Sequence, residues 1–135
     1  MPRYLLDANV VIDWLKGKEP ALGLVRHLVQ SLQPPAVNAV TLAEVHSGVS
    51  DDDRETVDRL LTNFEYWEID EPVARLAGRY RYGYGRQGRP FALTDMLMAA
   101  HAVQRDATLV TDNVRDFPMP EVRLRRPDPT RDIVP

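Results

Sequence analysis

The chain is 135 residues long, 44% hydrophobic and free of cysteine, a length that suits one compact domain and a composition that excludes a disulfide framework. No stretch approaches the roughly 18 consecutive apolar residues of a membrane span, and the opening Met-Pro-Arg-Tyr-Leu-Leu-Asp lacks a secretory apolar core, so a cytoplasmic protein with no membrane partner is expected. The net charge of −3 speaks against a uniformly basic nucleic-acid binder, yet residues 1–74 carry 6 basic and 13 acidic side chains while residues 75–135 carry 11 and 7.

Tyr4-Leu5-Leu6 is a short apolar run closed by Asp7, and Val10, Val11, Trp14 and Leu15 then recur at helical spacing, which predicts a strand feeding a helix. Ala21, Val25, Leu28 and Leu32 form one stripe of a second helix, stopped by Pro34-Pro35 ahead of a short strand near 36–38. A third helix is expected to open at Thr41 and run to Val49. Val57, Leu60, Leu61 and Phe64 fall at i, i+3, i+4 and i+7, the mark of an amphipathic helix over 55–64, and 66–69 reads as the next strand.

From Glu71 the stripe Val73, Leu76, Ala77, Tyr80 and Tyr84 predicts a helix that frays into Gly83, Gly85 and Gly88, with Pro90 ending the loop. The segment 93–103 is apolar on nearly every face, as a central helix packed on both sides would be. Residues 108–110 form the fourth expected strand and 122–124 a candidate edge strand; 127–135, rich in proline, reads as a flexible tail beyond a single domain of residues 1–126. Strands alternating with helices imply an α/β fold with a mainly parallel four- to five-stranded sheet.

Acidic residues stand at the ends of these elements: Asp7 after the first strand, Glu44 after the second, Asp95 at the start of the buried helix, and Asp112 and Asp116 after the fourth strand. Each has a structural explanation taken singly. Asp7 can turn the chain, Thr41-Leu42-Ala43-Glu44 fits a capping box, Asp95 suits a helix N-terminus, and aspartates are common in loops such as that of Asp112 and Asp116. Jointly they carry more weight, because a parallel sheet puts the C-terminal ends of all its strands on one edge. Carboxylates packed there repel unless a cation or shared protons relieve them, so the pattern points to a metal-dependent enzyme.

Tyr4-Leu5-Leu6-Asp7-Ala8-Asn9-Val10-Val11-Ile12-Asp13 resembles the opening of PIN-domain ribonucleases, specifically VapC-type toxins. Val40-Thr41-Leu42-Ala43-Glu44-Val45, Leu93-Thr94-Asp95-Met96-Leu97-Met98-Ala99-Ala100 and Leu109-Val110-Thr111-Asp112-Asn113-Val114-Arg115-Asp116-Phe117 resemble the later blocks of that family, in order and at similar spacing. The resemblance implies a PIN-like fold, endonucleolytic cleavage of structured RNA (tRNA or rRNA among the candidates) and inhibition of translation. It also implies Mg²⁺ or Mn²⁺ held by Asp7, Glu44, Asp95 and Asp116, with Asn9 and Thr111 as polar neighbours. Asp112 remains a second candidate for the fourth acid, or an auxiliary ligand. A cognate VapB-type antitoxin on the N-terminal helical region, a homodimer and a larger assembly with antitoxin are implied as well.

Of the 17 cations 15 are arginine, whose planar fork matches phosphate oxygens in pairs, although GC-rich coding gives the same bias. Arg79, Arg81, Arg86 and Arg89, beside Tyr80, Tyr82 and Tyr84, are the candidate RNA contacts; the bland alternative is packed tyrosines and solvated arginines. His27, His46 and His101 show no ligand spacing. A dehalogenase-type phosphatase would need an acid where Asn9 stands, and a receiver-type phosphotransfer domain would need a lysine absent after the fourth strand. A non-catalytic PIN-fold binding module is disfavoured because all four acids are present.

Overall fold

Strands of only two or three residues leave little hydrogen-bonded ladder, so here burial on both faces has to hold the sheet. The computed structural model describes residues 2–128. Its strands β1 (Tyr4–Leu6), β2 (Ala36–Val37), β3 (Glu65–Tyr66), β4 (Thr108–Val110) and β5 (Arg123–Arg125) lie in the order β3-β2-β1-β4-β5, and every neighbouring pair is parallel. Adjacent residues sort to opposite faces, as the pleat requires. Leu5, Ala36 and Leu109 enter one core, while Leu6, Val37 and Val110 enter the other.

The helices are α1 (Ala8–Leu15), α2 (Ala21–Val29), α3 (Ala39–Ser47), α4 (Arg54–Leu61), α5 (Glu71–Arg86) and α6 (Leu93–Gln104). Residues of α5 and α6 fill the Leu5 core, with Val73, Ala77, Met96, Ala99 and Ala100 buried there; residues of α1 to α4 fill the Leu6 core, with Val10, Val11, Val25, Val45 and Leu61. Helix α6 is buried around its circumference, as its uniform apolar character predicts. Among the described residues no helix is long and apolar enough to cross a membrane.

Several boundaries differ from expectation for local reasons. Helix α2 ends at Val29 rather than carrying Leu32, which is 91% exposed; the Ser31 hydroxyl donates to the Leu28 and Gln33 carbonyls and turns the chain before Pro34. Helix α3 starts two residues early because Asn38, not Thr41, caps it: its side-chain oxygen accepts the Thr41 N–H at 3.0 Å. Strand β3 is Glu65–Tyr66 rather than 66–69, set by Arg3, which donates to both Glu65 carboxylate oxygens across the sheet edge.

Helix α5 does not fray at its glycines. It runs through Gly78, Gly83 and Gly85 to Arg86, although each glycine costs about 1 kcal/mol against alanine in a helix interior. The Asp70 cap on the Val73 N–H and the packed stripe that includes Tyr80 and Tyr84 offset that cost. Gly88, at φ +74°, supplies the left-handed turn that ends the segment. Of the expected tail, Pro127 is buried and residues 129–135 lie outside the described residues.

Candidate active site and metal centre

The strand order sets the position of the site. From β1 the chain steps outward to β2 and β3, then returns to place β4 on the other side of β1. The crevice beyond the C-terminal ends of β1 and β4 is therefore the topological switch point, where open α/β sheets place their ligands. Asp7 leaves β1 there and Thr111 leaves β4, with their backbones tied by the Asp7 N–H to the Val110 carbonyl at 3.0 Å.

Asp7 also caps α1, as the structural reading of this residue expects, and it does so at the switch point. Oδ1 accepts the Ala8 N–H at 2.9 Å; Oδ2 accepts the Thr111 hydroxyl at 2.8 Å and, more weakly, the Asn9 amide at 3.4 Å. Thr111, fully buried, accepts in turn from the Asn113 N–H at 3.0 Å and the Asn9 amide at 3.3 Å. The Asn9 oxygen accepts the Asp112 N–H at 3.3 Å. Residues more than a hundred positions apart are thus stitched into one network, and Asn9 acts as its bridge. Burial raises the Asp7 carboxyl above its usual range, opposed by the Thr111 and Ala8 hydrogen bonds and reinforced by the Asp116 charge.

Asp95 is the most perturbed acid, pushed up to about 6 by burial first and then by the charges of Asp116, Asp7 and Glu44. Every one of these influences disfavours its ionised form. Glu44, exposed on α3, is also raised, by partial desolvation and by Asp7. Because Asn38 caps α3, the expected capping box does not form, and Glu44 lies in the helix beyond its first turn. Asp116 closes a short 3-10 turn, Val114–Asp116, and is the acid whose charge reaches both Asp7 and Asp95. Asp112 is exposed on the preceding loop, where its carbonyl accepts from Arg126.

Asp95 therefore feels the charges of Asp7, Glu44 and Asp116, and Asp7 links Glu44 with Asp116, at one sheet edge. Among the described residues no three acidic or histidine side chains already enclose a cation directly. A Mg²⁺-type ion that keeps several of its waters needs only one or two direct carboxylates. The donor set, carboxylate oxygen throughout, suits such a hard cation.

The four candidate arginines do not gather. Arg79 lines a shallow cavity with Glu71 and Arg75, Arg89 lies over Tyr84 and Phe91, and Arg81 and Arg86 flank a separate groove with Tyr82. Tyr80 donates to Glu121 at 2.5 Å and Tyr84 packs edge-on against Phe91, leaving Tyr82 as the exposed ring of the three.

The residues not anticipated are Asn38 and His101, both fully buried. The Asn38 amide donates to His101 Nδ1 at 2.9 Å, which ties the start of α3 to α6. Thr41, next along α3, donates to the Leu6 carbonyl at 2.9 Å. The signal was available in principle: an asparagine before Ala39-Val40-Thr41 is a cap, and a histidine inside an apolar helix needs a partner. Spacing alone could not pair residues 63 apart.

A parallel sheet that gathers acidic residues from four chain segments at its switch point defines an α/β domain with an acidic centre. The family model described as PIN domain matches residues 4–119. The chain is 36% identical over 117 residues to Ribonuclease VapC10 of Mycobacterium tuberculosis, covering 85% of this chain and 86% of the relative. It is 30% identical over 115 residues to Ribonuclease VapC19 of the same species, covering 85% and 92%. The chain belongs to the PIN-domain family, among its VapC ribonucleases. In fold it is similar to the structure described as DNA-bound VapBC from Salmonella typhimurium, with a TM-score of 0.81 at 24% identity over 95% of this chain and 100% of that one.

Proposed function

We propose that this protein is a divalent-metal-dependent endoribonuclease, the toxin of a VapBC-type pair, acting on structured RNA in the cytoplasm. The observation that carries the reading is Asp95, held half-buried among Asp7, Glu44 and Asp116, with every neighbouring influence opposing its charge. A folded protein keeps such an arrangement where a cation relieves it. Family membership and similarity to two ribonucleases support the same conclusion.

In this reading Asp7, Asp95, Glu44 and Asp116 hold Mg²⁺ or Mn²⁺, some through water, and Asp112 serves as an auxiliary or water-positioning group. When bound, the ion would acidify a water and offset charge on the phosphoryl oxygens. Asp7 is oriented by Thr111 and Asn9, so its free electron pairs keep a fixed direction. Where a single ion leaves Glu44 out of its direct ligands, that exposed carboxylate, its pKa raised by desolvation and by Asp7, would accept a proton from the attacking water.

A VapB-type antitoxin segment would occupy the groove of about 340 Å³ between α1, α2 and α4, lined by Trp14, Leu15, Leu22, Val29 and Leu60. An amphipathic helix laid on such a groove is a common recognition mode. Homodimerisation and a larger assembly with antitoxin follow from the family resemblance. Purified antitoxin-free protein incubated with total RNA should cleave it with Mg²⁺ or Mn²⁺ and stop with EDTA. Asp116→Asn should lose cleavage by about a hundredfold or more, while Asp112→Asn keeps most of it; cleavage that persists in EDTA would eliminate the metal-dependent mechanism.

A further inference from the structure

We propose that the groove between the second half of α5 and the start of α6 is a subsite for an unpaired stretch of RNA, with one base stacked on Tyr82 and the adjoining phosphates on Arg81 and Arg86. The proposal rests on the nuclease reading, since it requires RNA to pass the acidic centre. The groove encloses about 550 Å³ and is lined by Arg81, Tyr82, Arg86, Pro90 and Leu93 over the backbone of Gly78 and Gly85. That volume suits a ligand of nucleotide size. No carboxylate lines it, so in a chain of net negative charge it is complementary to an anion.

Tyr82 is 69% exposed, with the Arg86 guanidinium 5.8 Å from its ring centroid. Arg81 donates from Nε to the Phe91 carbonyl at 3.3 Å, which anchors that guanidinium at the loop side. A planar ring beside two guanidinium groups is the chemistry that takes up an unstacked base and its flanking phosphates. A base inside an A-form duplex cannot present its face to the ring. An added Cβ at Gly78 or Gly85 would meet nothing within 4 Å, so packing does not demand glycine at either position. Their bare backbone instead deepens the groove. The lip at Leu93, 45% exposed, belongs to the first turn of α6, the turn that also carries Asp95.

The probe is a single-stranded oligoribonucleotide carrying one 2-aminopurine, bound to the full-length protein in EDTA so that no cleavage occurs, with the perfect duplex of the same sequence as control. The single strand should bind about tenfold or more tighter than the duplex and lose fluorescence as its base stacks. Tyr82→Ala should weaken binding about tenfold and abolish the quenching; Tyr82→Phe should keep both. Gly85→Ala, which favours the helix, should raise the melting temperature and still weaken binding. Equal binding by wild type and Tyr82→Ala, or equal binding of duplex, overturns the proposal. So does a change of oligomeric state in Tyr82→Ala, which would make the groove an interface between two copies. Intact single-strand binding without metal-dependent cleavage would instead sink only the nuclease reading.

Discussion

Replacing Asp95 by asparagine is expected to reduce RNA cleavage by about a thousandfold or more and, at the same time, to stabilise the metal-free protein. The first effect follows from removing a carboxylate of the proposed metal site, where several kcal/mol of transition-state stabilisation are at stake. The second follows from linkage. In the fold Asp95 titrates at about 6, against 3.8 in the unfolded chain, so the native state holds its proton more tightly. Stability from this group is therefore greatest below about pH 4 and is lost as pH rises through 6. Near neutral pH the ionised carboxylate costs roughly 1–2 kcal/mol once solvent screening at a half-buried group is allowed for. Asparagine cannot ionise and removes that cost, which should raise the melting temperature in EDTA by a few degrees. Mg²⁺ or Mn²⁺ should raise the wild-type melting temperature, because binding to the native state alone stabilises it, and should do so much less for Asp95→Asn. A wild type unmoved by either ion, beside a variant that is no more stable, would leave the acidic cluster without a metal-binding role.

The same cluster shows what a one-dimensional reading reaches. Asp7, Asp95 and Asp116 stand at or near the ends of their elements, a position that a parallel sheet converts into a shared edge, while Glu44 reaches the same edge from the middle of α3. Spacing alone does not choose between Asp112 and Asp116, since both follow β4; the 3-10 turn is what brings Asp116 into the field of Asp7 and Asp95. The cap of α3 was misplaced for a related reason. Thr41 and Glu44 carry a capping-box signature, but Asn38 competes for the Thr41 N–H, and the Thr41 hydroxyl is drawn instead to the Leu6 carbonyl. In α5 the glycines suggested fraying, yet tertiary packing of Val73, Ala77, Tyr80 and Tyr84 outweighs local propensity. The four arginines are close in sequence, but Arg79 points from α5 to a different side than Arg81 and Arg86, which share a groove, and Arg89 lies beyond the end of the helix.

Asn38→Ala should lower stability by about 2–4 kcal/mol. Loss of the α3 cap accounts for about 1 kcal/mol, and the stranded Nδ1 of buried His101 for roughly 1–3 more. Asn38→Ser can still cap α3 but cannot reach across to His101, so it should recover only the first part. Because the Asn38 amide donates to Nδ1, His101 carries its proton on Nε2, which is directed toward the Glu68 backbone without reaching hydrogen-bond geometry. Burial first, and the Arg105 charge second, lower its pKa from 6.5, against weaker upward pulls from Asp70 and the Glu68 backbone. The unfolded chain thus takes up the proton first: stability from the neutral histidine is complete above about pH 6.5 and is lost as pH falls through the lowered value. In Asn38→Ala the freed Nδ1 can accept a proton more readily, so denaturation curves from pH 7 down to about 5 should fall less steeply than those of wild type. Since this bond ties the helix of Glu44 to the helix of Asp95, cleavage should also drop by about ten- to a hundredfold through misplacement of the two carboxylates. A merely structural asparagine would lower stability and change the pH slope through His101 yet leave the turnover of the folded fraction unchanged, and that result would remove Asn38 from the positioning of the site.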